Sequence, residues 1–125
     1  MALKMLILED EVGLLESLRD FFKSVGHTVF ATTRGEEALE IVEKELPHVI
    51  LCDLQLADSS MTGIEVLKQT SEKHPNIKVI VMTGYGSEDS IVKVCNQYNP
   101  FLFLSKPISL ISVHETLKEI EKKLK

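Results

Sequence analysis

Apolar residues occur along this chain in two alternating patterns: short continuous runs, and stretches in which they recur three and four positions apart. The runs cover Lys4–Leu8, Thr28–Ala31, His48–Cys52, Lys78–Met82 and Phe101–Leu104. Runs of this length predict buried strands. Between them, Leu14, Leu15, Leu18, Phe21, Phe22 and Val25 follow helical spacing, as do Ala38, Leu39, Val42 and Leu46. Ile64 and Leu67 mark a third helix, Ile91, Val94 and Cys95 a fourth, and Val113, Leu117, Ile120 and Leu124 a fifth. Five strand–helix units in succession predict an α/β domain, a parallel sheet with helices on both faces and right-handed crossovers.

Punctuation supports these elements. Thr33 with Glu36, Thr62 with Glu65 and Ser112 with Glu115 have capping-box spacing. Ser87 followed by Glu88 and Asp89 suits a helix start, where acids favour the dipole. Gly26 suits a helix C-cap, and Pro47, Pro75 and Pro100 stop continuation. The chain contains no low-complexity tract or solenoid repeat, and its last periodic segment reaches the final residues, so a single domain over residues 1–125 is expected.

Composition narrows the function. With 44% hydrophobic residues the chain can build a substantial core, and a net charge of -5 argues against direct nucleic-acid binding. No apolar stretch approaches the roughly 20 residues that span a bilayer, and the N-terminus lacks a signal-peptide layout. Cys52 and Cys95 lack metal spacing and read as buried free thiols of a reducing, cytoplasmic protein. His27, His48, His74 and His114 are scattered and read as surface or loop residues.

The chemistry sits where the runs end. The first leads into Glu9-Asp10, the third into Asp53, the fourth into Thr83-Gly84, and the fifth into Ser105-Lys106-Pro107. An open parallel sheet binds ligands at the carboxyl ends of its strands, so these residues are expected on one rim. Clustered carboxylates repel and raise one another's pKa unless a cation joins them, which predicts a divalent ion such as Mg²⁺ beside Glu9, Asp10 and Asp53. Asp53 is a candidate nucleophile, able to carry an aspartyl phosphate. Thr83 offers a hydroxyl to a phosphoryl oxygen. Lys106, following an apolar strand, is costly near the interior unless an anion awaits it, and Pro107 restricts its backbone and can hold a cis bond.

The ordered set Glu9-Asp10, Asp53, Gly63, Met82-Thr83-Gly84 and Lys106-Pro107 resembles the receiver domain of two-component response regulators along essentially the whole chain. The resemblance implies a doubly wound, CheY-like (flavodoxin-like) sheet of strand order 2-1-3-4-5. It implies phosphoryl transfer to Asp53 from a sensor histidine kinase or histidine phosphotransfer protein. Asp10, Asp53 and the backbone carbonyl of Gln55 would hold Mg²⁺, with Glu9 assisting. Lys106 would pair with Asp53 and then with the phosphoryl group, and Thr83 would bond a phosphoryl oxygen. Phe103 falls where the family has a rotating aromatic that reports phosphorylation to the surface of the fourth helix, fifth strand and fifth helix. That surface would control an output domain or downstream protein, or form a phosphorylation-dependent homodimer.

The chain departs from the family in several places. Leu56-Ala57 replaces the usual methionine-proline pair, Asp58-Ser59-Ser60 lengthens the loop, and Tyr98-Asn99-Pro100-Phe101 replaces small residues before the fifth strand. Gln55 and Tyr85 occupy positions that tune hydrolysis, and a bulky Tyr85 predicts a fairly long-lived phosphoryl group. Two other readings compete with the phosphorylated switch. One is a receiver-like scaffold that binds partners without phosphorylation. The other is a Mg²⁺-dependent phosphatase of haloacid-dehalogenase type, disfavoured because Gln55 stands where its second aspartate should be. A flavin protein is disfavoured by the acidic first loop.

Overall fold

A computed structural model of the chain describes residues 2–56, 61–84 and 89–124. Strands and helices alternate as β1 (Lys4–Leu8), α1 (Val12–Ser24), β2 (Thr28–Thr32), α2 (Gly35–Glu45), β3 (Val49–Asp53), α3 (Gly63–Lys73), β4 (Lys78–Thr83), α4 (Asp89–Asn96), β5 (Leu102–Ser105) and α5 (Leu110–Lys123). All strand pairs are parallel, in the order β2-β1-β3-β4-β5. This is the expected doubly wound sheet.

The period of two along each strand divides the apolar residues between two cores. Met5 and Ile7 of β1, Leu51 of β3 and Ile80 and Met82 of β4 pack under Leu15, Leu18 and Phe22 of α1 and Val113, Leu117 and Ile120 of α5. On the other face Leu6, Leu8, Ile50, Cys52, Val79 and Val81 meet Ala38 and Val42 of α2, Val66 and Leu67 of α3, and Cys95 of α4. Both faces are covered, which is why the strands read as unbroken apolar runs. Cys52 and Cys95 are free and buried, and burial raises both thiol pKa values. Among the described residues no helix is long and apolar enough to cross a membrane.

Helix ends follow the expected punctuation in part. Gly26 has φ 101°, and the bonds Gly26 N–H to Lys23 O and His27 N–H to Phe22 O form a Schellman closure. Thr62 caps α3, its Oγ1 accepting from Glu65 N–H at 3.2 Å. The Thr33–Glu36 box does not form. β2 runs on to Thr32, whose Oγ1 accepts from Arg34 N–H, and Arg34 becomes the N-cap. The Ser112–Glu115 box fails for a similar reason: Ser109 caps α5 three residues earlier by accepting from Ser112 N–H, so Ser112 lies inside the helix. Ser87 falls outside the described residues.

Leu46, Val25 and Leu124 continue the helical apolar pattern in the sequence, yet they are 57%, 41% and 42% exposed at the helix ends. Leu46 closes α2 in the left-handed region (φ 46°, ψ 62°), where a side chain costs about 1 kcal/mol.

Of the four histidines, His27, His48 and His74 lie in loops between elements, as expected, whereas His114 lies within α5 and is half-buried. His27 is buried and its Nδ1 accepts from Leu3 N–H at 3.0 Å, while half-buried His48 accepts from Lys4 N–H at 2.9 Å. Both imidazoles serve as acceptors for amides at the start of β1. Burial holds the His27 pKa below 6.5; Glu121, 3.9 Å away, opposes this, whereas His114 and the N-terminal amine add to it. A folded-state pKa below the unfolded one means that the unfolded chain binds the proton more readily. The stability due to neutral His27 is therefore complete above pH 6.5 and declines as the pH falls from 6.5 through the folded-state pKa. His27→Asn keeps an acceptor for Leu3 N–H and does not titrate. Urea unfolding between pH 7.5 and 5.5 should show a smaller acid loss in this variant than in the wild type.

Candidate functional site

Parallel register brings the ends of β1, β3, β4 and β5 to one rim. Leu8 hands the chain to Glu9-Asp10, while Asp53 and Thr83 are the last residues of β3 and β4. Ser105 ends β5 immediately before Lys106, and Lys106 N–H donates to Thr83 O at 2.8 Å, tying this turn to β4. The Lys106-Pro107 bond is cis.

Carboxylate oxygens of Glu9, Asp10 and Asp53 lie within 4.8 Å of one another. Glu9 and Asp53 are buried and Asp10 is half-buried. Lys106 Nζ enters this group, 2.6 Å from Glu9 Oε1 and 3.3 Å from Asp53 Oδ2. The Glu9 contact is an ion pair without hydrogen-bond alignment, since no donor is aligned on the buried Oε1. Two backbone amides complete the setting: Gln55 N–H donates to Asp53 Oδ1 at 3.1 Å, and Glu11 N–H to Glu9 Oε2 at 2.9 Å.

Burial dominates the electrostatics of Asp53 and, with the charge of Glu9 and the hydrogen bond shared with Asp10, pushes its pKa up to about 7. The Gln55 amide and the Lys106 ammonium pull the other way. For Lys106, burial works against the charged form, but Glu9 and Asp53 outweigh it and raise the pKa. Among the described residues the site therefore holds one cation among three carboxylates, short of positive charge. Its donors are all oxygen, the set a hard divalent cation takes.

Gly63 is what lets α3 start against this rim. A Cβ there would stand 1.9 Å from Asp53 O and 2.7 Å from Leu54 Cα. In the sequence Gly63 was only one point of a family pattern; its steric reason is the backbone of the acidic residue itself.

The structure thus brings together Glu9, Asp10, Asp53, Thr83 and Lys106. Thr83 is buried at the neighbouring strand end. Gln55 is exposed and contributes its backbone next to Asp53. Phe103 is half-buried and packs on the core formed with α2, α3 and α4. Tyr85, Ala57 and the Asp58-Ser59-Ser60 insertion lie outside the described residues. Sequence reasoning missed the Glu11 amide, which leaves no mark in residue type, and the direct reach of Glu9 to Lys106.

The family model of the response regulator receiver domain matches residues 5–118. The chain belongs to that family. This receiver domain is a phosphoacceptor signalling domain of two-component systems and not a classical turnover enzyme, which sets aside the phosphatase reading. It is 32% identical over 116 residues to Sporulation initiation phosphotransferase F of Bacillus subtilis (strain 168), covering 93% of this chain and 91% of that protein. It is 31% identical to Transcriptional regulatory protein ZraR of Klebsiella oxytoca over 91% of this chain, but spans only 25% of that longer protein. Among solved structures, a CheY-like response regulator receiver domain protein from Methanospirillum hungatei JF-1 superposes with a TM-score of 0.87 at 27% identity, covering 98% of this chain and 99% of that one.

Proposed function

We propose that Asp53 is the phosphoacceptor and that the domain works as a cytoplasmic switch, receiving its phosphoryl group from a phosphohistidine on a sensor kinase or phosphotransfer protein. The observation that carries this reading is the position of Lys106 Nζ, 3.3 Å from Asp53 Oδ2 and 2.6 Å from Glu9 Oε1 at the strand-end rim. Phosphoryl transfer asks little of a protein beyond in-line placement and stabilisation of charge on the equatorial oxygens. An oxygen of ionised Asp53 forms the new bond to phosphorus as the phosphorus–nitrogen bond breaks, and its electron pair stays on the imidazole of the donor. Lys106 favours the ionised form of Asp53 and then faces the phosphoryl oxygens.

Glu9, Asp10, Asp53 and the Gln55 carbonyl would hold Mg²⁺, which supplies positive charge to the carboxylates and to the incoming phosphoryl group. The oxygen-only donor set and its shortage of positive charge support this assignment.

Thr83 then donates its hydroxyl to a phosphoryl oxygen. Because the product carries about two negative charges, Thr83 and Lys106 gain contacts by moving toward it, and that gain biases the loop after β4. Phe103, on the neighbouring strand, follows and alters the α4-β5-α5 surface. That surface acts on an output domain or downstream protein, or pairs with a second phosphorylated copy. Gln55 and Tyr85 set the access of water and hence the phosphoryl lifetime.

Incubation with acetyl phosphate and Mg²⁺, followed by intact mass spectrometry, tests the assignment. One phosphoryl mass should appear on the wild type and be lost when EDTA is present. Asp53→Asn should lose it completely, because an amide cannot form the acyl phosphate. A variant that labels like the wild type would refute Asp53, and an unlabelled wild type would favour the phosphorylation-independent scaffold.

A further inference from the structure

At the end of the sheet opposite the phosphoacceptor rim, the segments entering β3 and β4 and the last turn of α5 enclose a groove of about 370 Å³. Its apolar wall is Leu46, Pro47, Ile77 and Leu124. Leu46 stands out there. It holds a left-handed backbone that favours glycine or asparagine, directly before a proline that itself restricts the preceding residue, and it remains 57% exposed. Backbone strain combined with an exposed leucine brings the fold little packing in return. Strain of this kind collects where a side chain serves something outside the fold.

The polar wall names the occupant. His48, Lys73 and His74 line the groove, and no aspartate or glutamate lies among its described lining residues. The chain as a whole has 19 acids against 14 Lys and Arg, so a groove lined by Lys73 and two histidines, with the Glu43 carboxylate meeting it at His74, runs against its overall charge. Because His48 Nδ1 accepts from Lys4 N–H, its proton sits on Nε2 and is available as a donor. His74 Nε2 already sits 2.8 Å from Glu43 Oε1, showing that a carboxylate suits this wall.

We propose that this groove is a docking site for an acidic segment of a partner protein, which inserts a bulky apolar side chain beside Leu46, Ile77 and Leu124 and sets carboxylates against Lys73 and His48. The site is separate from the phosphoacceptor rim and needs no phosphoryl group, so it stands or falls independently of the Asp53 assignment.

The test is an amide NMR titration of the full chain with two blocked synthetic hexapeptides. One carries leucine and phenylalanine between two pairs of glutamates; its twin has lysine in place of each glutamate. The glutamate peptide should give saturable shifts at Leu46, His48, Lys73, Ile77 and Leu124, with the lysine twin weaker by about tenfold or more. Leu46→Gly should weaken the glutamate peptide by a similar factor while raising Tm by about 3 °C, because strain is relieved and little buried surface is lost. Equal binding of the twins, no saturable binding, or shifts confined to another face would overturn the proposal. So would a Leu46→Gly variant that binds as well as the wild type or melts lower. Shifts that grow with protein concentration alone would make the occupant a second copy and refute the acidic partner.

Discussion

Gly63→Ala is expected to destabilise the domain by about 3 kcal/mol or more, near the upper end of overpacking effects. The added Cβ would meet Asp53 O at 1.9 Å and Leu54 Cα at 2.7 Å, both backbone atoms. No rotamer change relieves such a clash. Either α3 lifts away from the end of β3, exposing Val66 and Leu67, or β3 bends and carries Asp53 with it. Both outcomes injure the phosphoacceptor rim, so loss of acetyl-phosphate labelling should accompany the loss of stability. Urea unfolding of wild type and variant measures the first, and intact mass the second. Gly13 provides the contrast: a Cβ there meets only the flexible Glu11 side chain at 3.3 Å, so Gly13→Ala should be mild.

Lys106→Met should cost about 3 kcal/mol at pH 7.5 in EDTA, because it leaves two buried carboxylates without their shared cation. The pH dependence identifies the cause. Asp53 has a folded-state pKa of about 7, above the 3.8 of an unperturbed carboxyl. A raised folded-state value gives a contribution that is complete below the unfolded value and lost as the pH rises through the folded one. In metal-free buffer that contribution should fall by about 2 kcal/mol between pH 5 and 7, and Lys106→Met should steepen the fall. Asp53→Asn removes the titrating group and should flatten it. Mg²⁺ should restore part of the stability of Lys106→Met at pH 7.5. His27 acts with the opposite sign in the same range, so the comparison is between slopes of single variants measured side by side. A Lys106→Met protein as stable as the wild type in EDTA would contradict the electrostatic account.

The strands were legible because both their faces are covered, and each run lies within a residue of its strand. The errors at the ends share one cause. β3, β4 and β5 each continue through a polar residue, Asp53, Thr83 and Ser105, where an apolar pattern stops. Backbone pairing persists to the rim, and the functional residues ride on that last rung. Caps were less legible, since Thr32 competes with Thr33 and Ser109 with Ser112, and spacing alone does not rank neighbouring hydroxyls. The acids, threonine and lysine of the site could be placed from sequence because β/α topology fixes which ends converge. The contact of Glu9 with Lys106 and the amides of Glu11 and Gln55 could not. They depend on through-space distance and on main-chain groups common to nearly all residues. The partners of His27 and His48, the amides of Leu3 and Lys4, were hidden for the same reason.

β5 is the shortest strand, four residues bonded on one side only to β4, and none of its side chains is fully buried. Sheet margins of this kind open at lower free energy than the interior strands. The ammonium that faces the acidic rim is therefore mounted directly after an edge strand of the ladder. Brief detachment of this margin would release the lysine while β1 and β3 stay closed. The electrostatic latch can thus be undone by local breathing, without unfolding the domain.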